Sequence, residues 1–142
     1  MRSFAASLIA AAILLSAALA ADNVDTNFHN APASAKAMKN PYNGQATAIA
    51  AGKQLYARNC LSCHGKSAQG TGNVPSLIDG KLETTAPGEV FWFITKGDKD
   101  NGMPSWAQLP EKQRWQLVSY VKSLGLPQTG HVASALPADA GG

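Results

Sequence analysis

Apolar positions recur with helical spacing in three stretches of this chain and with strand spacing in none. The clearest stretch opens at Pro110. Leu117, Tyr120, Val121 and Leu124 fall at i, i+3, i+4 and i+7, Trp115 and Val118 broaden that face, and Gly125 and Pro127 end it. A second helix is expected over residues 87–96, where Pro87 suits the first turn, Glu89 the positive end, Lys96 the negative end, and Gly97 the stop. The run Phe91-Trp92-Phe93-Ile94 inside it should be buried. Residues 48–59 predict a third helix, with Ile49, Gly52, Tyr56 and Asn59 along one stripe. No apolar–polar alternation is bounded by hairpin turns and no repeat is present, so the pattern predicts an all-α domain with long loops.

The flanks read differently. Residues 1–20, MRSFAASLIAAAILLSAALA, place Arg2 before an apolar run that closes on Ala18-Leu19-Ala20, the small-x-small pattern of a cleavage site. A membrane anchor is the competing reading, but no basic stop follows the run, so a secretory signal and a periplasmic location are expected. With that signal removed, no stretch remains that could span a bilayer stably. Residues 21–47 form a polar extension with Pro32, Pro41 and the turn pair Asn43-Gly44, and show neither helical nor strand periodicity. The tail, residues 126–142, is built of Ala, Gly and Pro and has too few large apolar groups to offset ordering entropy, so it is expected to be flexible.

A chain of 142 residues, 45% of them apolar, has room for one compact domain, here residues 48–125. Twelve Lys and Arg stand against nine Asp and Glu, and a net charge of +3 is too weak and too mixed to argue for nucleic acid. The charge is nonetheless uneven. Lys36, Lys39, Lys53, Arg58 and Lys66 are the only charged residues between Thr26 and Leu77, whereas residues 78–100 are net negative.

The two cysteines carry the chemistry. Cys60-Leu61-Ser62-Cys63-His64 is a C-x-x-C-H sequence, whose spacing sets two thiols against the two vinyl groups of haem and the following imidazole against the iron. Zinc would need about four ligands, and no second ligand pair exists. A thioredoxin-like dithiol normally follows a strand, but a helix precedes this one. Gly65-Lys66-Ser67 ends like a phosphate loop yet has no glycine at the required upstream spacing. With His64 as one axial ligand, Met38, Met103, His29 and His131 are the candidates for the other. Met103 is preferred over a gap-filling role because Gly102 and Pro104 fix an irregular backbone around it; both histidines lie in the low-complexity flanks.

Taken together, a helix leading into CLSCH, Pro75-Ser76-Leu77, Gly102-Met103-Pro104 and a closing aromatic helix resemble a class I c-type cytochrome over residues 48–125. The resemblance implies a class I cytochrome c fold, with the first and last helices crossing at Gly52 and Tyr56 against Leu117 and Tyr120, and long loops around a covalently bound haem. One haem c would be attached through Cys60 and Cys63, with His64 and Met103 ligating its iron. The Pro75 carbonyl would accept the second ring proton of His64, and Trp92 or Trp106 could donate to a propionate. The implied function is that of a periplasmic carrier, not an enzyme, which shuttles single electrons from a dehydrogenase to an oxidase or another cytochrome. Alternatives are a haem c subunit of a larger dehydrogenase or oxidase complex, or a haem enzyme or sensor with a labile distal ligand. If the basic residues converge at the haem edge, they would steer an acidic redox partner.

Overall fold

The computed structural model describes residues 30–126, which form six helices and, among these residues, no strand. In chain order they are α1 (Ala33–Lys36), α2 (Ala46–Asn59), α3 (Leu61–His64), α4 (Lys81–Thr84), α5 (Pro87–Lys96) and α6 (Glu111–Ser123), with a 3₁₀ turn at Lys99–Asn101. Among the described residues the only sheet-like pairings are isolated bridges, Thr71 with Val74 and Asp98 with Met103.

α5 occupies the residues its sequence predicts, and its first turn is closed by Glu89, whose Oε2 accepts the Ala86 N–H at 3.1 Å. α6 begins after Pro110, whose carbonyl takes the N–H groups of Gln113 and Arg114 at 2.9 and 3.2 Å. α2 starts two residues earlier than its apolar stripe indicated, because the Gln45 carbonyl already accepts from Ala48 and Ile49 at 3.0 Å.

α2 crosses α6, and the contact is tight enough to involve backbone. A Cβ placed on Gly52 would collide with the Gln116 carbonyl oxygen and come within 2.7 Å of Tyr120 Cβ. Tyr56 and Tyr120 meet at the crossing with ring centroids 5.3 Å apart and planes tilted by 59°. Leu117 and Val118 are fully buried beneath it, and each such aliphatic side chain contributes about 2 kcal/mol by leaving water. α5 closes the other side of this core, where Phe91 stacks on Trp115 at 4.0 Å.

Residues 30–47 depart from the featureless extension expected. α1 lies against α5, where Gly88 admits the Ala35 carbonyl and Lys36 Nζ sits 3.5 Å from Glu89 Oε1. Asn40 is buried, and its Nδ2 donates to Ser119 Oγ at 2.9 Å and to the Trp115 carbonyl at 3.3 Å. Periodicity could not reveal this strap, because small alanines and one amide hold it, not an apolar stripe. The short α4 was likewise unanticipated; Lys122 clamps it from α6 by donating to the carbonyls of Leu82, Glu83 and Thr85. The expected signal at residues 1–20 and all of the expected tail except Leu126 lie outside the described residues.

Candidate haem site

α2 runs directly into the CLSCH turn. Cys60 closes α2 by donating its N–H to the Tyr56 carbonyl at 2.8 Å, and its own carbonyl accepts from Cys63 and His64 at 3.2 and 2.9 Å. The two cysteines therefore stand one helical turn apart, with His64 next along the chain. Both thiols are free; Cys60 is half-buried and packs on the core, whereas Cys63 is exposed. Burial, with Cys63 adding to it, pushes the Cys60 thiol up to about 11. A disulfide oxidoreductase lowers the pKa of its attacking thiol, the opposite of the shift at Cys60.

The loop after His64 folds back onto the turn and takes up its carbonyls. Tyr56 Oη donates to the Gly65 carbonyl at 2.8 Å, Gly70 N–H to His64 at 3.0 Å, and Thr71 Oγ1 to Cys63 at 3.2 Å. Ala68 sits at the pivot, 1% exposed and with φ of 58°, a left-handed conformation unusual for a residue with a Cβ, and its carbonyl accepts the Leu77 N–H at 2.8 Å. Gly70 nests against residues 74 and 75, where a Cβ would lie 2.8 Å from the Pro75 carbonyl carbon.

This fold-back brings the Pro75 backbone to the His64 ring. Burial lowers the pKa of His64 from 6.5, and hydrogen bonding with Pro75 opposes that shift without supplying Nδ1 with a well-formed bond. Nδ1 is buried and unsatisfied, a costly state for a ring nitrogen. The imidazole is thus held neutral near pH 7, which is the metal-binding form. Two free thiols, a neutral imidazole and partly exposed apolar side chains such as Leu61 and Ile78 are a donor set and surface that fit haem c.

Met103 lies on the loop between α5 and α6, half-buried against the same core cluster as Cys60, Leu77, Trp106 and Leu109. Its backbone pairs both ways with Asp98, at 2.8 and 2.9 Å, around the 3₁₀ turn and Gly102. Among the described residues no three His, Cys, Asp or Glu side chains gather as they would around a bare metal ion.

The other candidates scatter. Trp106 packs on the core, whereas Trp92 is half-buried beneath Lys96, whose Nζ is 4.8 Å from the ring centroid. Met38 is exposed beside Gly88. His29 and His131 lie outside the described residues. Of the basic cluster, Lys36 is engaged with Glu89, and Lys39, Lys53, Arg58 and Lys66 are exposed. A cavity of about 470 Å³, lined by Trp92, Lys96, Asp98 and Lys99 among others, includes none of the candidate ligands. Sequence reasoning missed the carbonyl clamps of Tyr56 and Thr71; a tyrosine and a threonine flanking CLSCH were the available signal.

Comparison with known proteins bears on the same residues. Residues 47–121 match the family described as cytochrome c oxidase, cbb3-type, subunit III. A curated relative, the cbb3-type cytochrome c oxidase subunit CcoP of Rhodobacter capsulatus, is 34% identical over 85 residues, which cover 53% of this chain and 29% of the relative. The chain thus spans under a third of that relative's length. The crystal structure of cytochrome cL from the marine methylotroph Methylophaga aminisulfidivorans aligns with a TM-score of 0.51 and 25% identity over 58% of this chain and 57% of that one.

Proposed function

The chain belongs to the family of cytochrome c oxidase, cbb3-type, subunit III, and from its paired thiols and half-buried imidazole we propose that it is a periplasmic carrier of single electrons, taking them from a dehydrogenase and passing them to an oxidase or another cytochrome. At the coarser level it is a class I c-type cytochrome, all-α, with covalently bound haem c and an electron-transfer domain. The bound haem supplies an iron that alternates between ferrous and ferric states.

In this reading Cys60 and Cys63 bind the haem as thioethers from one helical turn. His64, its pKa lowered by burial, would hold the iron, and the Pro75 carbonyl would orient its ring and raise its basicity. The Met103 thioether would be the second protein donor to the iron and would favour the reduced state. With His64 and Met103 both holding the iron, no place would be left for a substrate, and the domain would transfer electrons without catalysing a reaction of its own. The observation that carries the reading is the CLSCH turn itself, two free thiols one helical turn apart with the half-buried His64 imidazole and the Pro75 backbone beside them.

Acid–acetone extraction of the holoprotein should leave the haem on the polypeptide; its release would overturn the attachment. Met103→Ala should lose the far-red absorption band of thioether–ferric ligation and lower the reduction potential. If both are unchanged, Met103 is not the ligand.

The CcoP relative favours a second reading, in which the domain serves as the haem c electron-transfer subunit of an oxidase complex. The native protein decides between them. A carrier leaves the membrane fraction freely and reduces an added oxidase at a rate proportional to its concentration, whereas a subunit copurifies with the complex.

A further inference from the structure

Nothing within the 97–109 segment explains how the Met103 loop is held at a fixed angle to the rest of the domain. The Asp98–Met103 pairing makes a rigid knot, but a knot joined to α5 only at its base could still swing. Two bonds to α5 oppose that movement, a third within α5 orients the Thr95 hydroxyl, and one side chain opposes the movement from α6. Ser105 Oγ donates to the Thr95 carbonyl at 2.7 Å, the Trp106 N–H to the Ile94 carbonyl at 3.1 Å, and Thr95 Oγ1 to the Phe91 carbonyl at 2.7 Å. Arg114 then reaches across from α6. Its Nη1 donates to Thr95 Oγ1 at 2.5 Å, its Nε donates to the Leu109 carbonyl at 3.1 Å, and its guanidinium carbon lies 4.8 Å from the centre of the Phe91 ring. One planar cation thus joins the end of α5, the far end of the Met103 loop and α6, a geometry that the single point charge of lysine could not reproduce.

We propose that Arg114 is the positioning residue of the Met103 loop, setting how firmly the thioether is presented and hence how strongly the sixth iron position resists an outside ligand. This rests on the reading of Met103 as that ligand. A thioether is a soft, weak donor to ferric iron, so its hold depends on the fraction of molecules in which the loop is closed. Loosening Arg114 raises the small fraction in which the loop is open, and a small competitor binds more tightly by the same factor.

The test is imidazole binding to the ferric holoprotein, followed by loss of the far-red band, in the parent, Arg114→Gln, Arg114→Lys, Thr95→Val, Met103→Ala and Asn40→Ala. Arg114→Gln should bind imidazole about tenfold more tightly than the parent, the scale of one hydrogen bond to a charged group, while keeping the band when no competitor is present. Arg114→Lys should fall between the two. Thr95→Val removes the acceptor from the other side and should act in the same direction, so the proposal does not depend on one variant folding. Asn40→Ala cuts a buried bond between the strap and α6 without removing any bond to residues 97–109 or to Thr95, and should lower the unfolding midpoint without changing imidazole affinity. Parental affinity in both Arg114→Gln and Thr95→Val, or an equal gain in Asn40→Ala, would overturn the positioning role. If Met103→Ala itself retains the band, the ligand assignment fails instead, and the two failures are distinguishable.

Discussion

Where α2 crosses α6, backbone lies against backbone at Gly52 and Gln116, and two tyrosine rings fill the remaining space. Where residues 65–77 and 97–109 build the site, close packing at Gly70 and Gly97 is joined by hydrogen bonds that satisfy individual carbonyls: Cys63 by Thr71, His64 by Gly70, Leu109 by Arg114. The first region is held by shape, which tolerates almost no added volume. The second is held also by donors and acceptors, each worth about 1 kcal/mol, which can be altered singly without unfolding the chain.

Breaking the crossing should give the largest effects. Tyr56→Ala removes a ring that is 2% exposed and should lower stability by roughly 3–5 kcal/mol, read as the unfolding midpoint in urea. Gly52→Ala adds only a methyl group, yet the group would meet the Gln116 carbonyl. The helices must then separate, and a loss of about 2–3 kcal/mol is expected in the same titration.

Tyr56→Phe sharpens the comparison, because it spares the packing and removes only the bond to Gly65; about 1 kcal/mol should be lost. The same variant has a pH signature. Burial pushes the Tyr56 phenol from 10.0 up to about 12, so over that window the folded chain keeps a proton that the unfolded chain has released. Stability therefore falls as pH rises from about 10 to about 12, and the fall should be shallower in the Phe variant. Thr71→Val should cost least, under about 1 kcal/mol because the bond is exposed, while still freeing the Cys63 carbonyl. A large drop in its midpoint would show that the loop is as cooperative as the crossing.

The same division explains what could be read from the sequence. α5 was legible from Pro87, Glu89, Lys96 and Gly97 at its ends, and α6 from Pro110, Gly125 and a 3.6-residue apolar stripe, because α6 buries one face. CLSCH was legible because its spacing is chemically demanding. Ala48 and Leu55 belong to the buried face of α2 but fell outside the stripe drawn through Ile49 and Asn59, which are only half-buried. Ala68 left no trace, since nothing in its type foretells a left-handed backbone. Arg114, Asn40 and Lys122 act over distances of 19 to 79 positions along the chain through single polar atoms, and such contacts have no period to detect.

The Asn40 bond has a practical consequence for anyone who cuts this chain. The family match begins at residue 47, and a fragment trimmed there would look complete by homology. It would lack the amide that Ser119 and the Trp115 carbonyl receive, and would uncover the flank of α5 where Ala35 rests on Gly88. Such a fragment would expose two polar atoms of α6 and a small apolar seam together, a combination that invites association between copies during expression. A fusion or minimal domain is better begun ahead of Ala31, which is itself buried, so that the strap travels with the helices it covers.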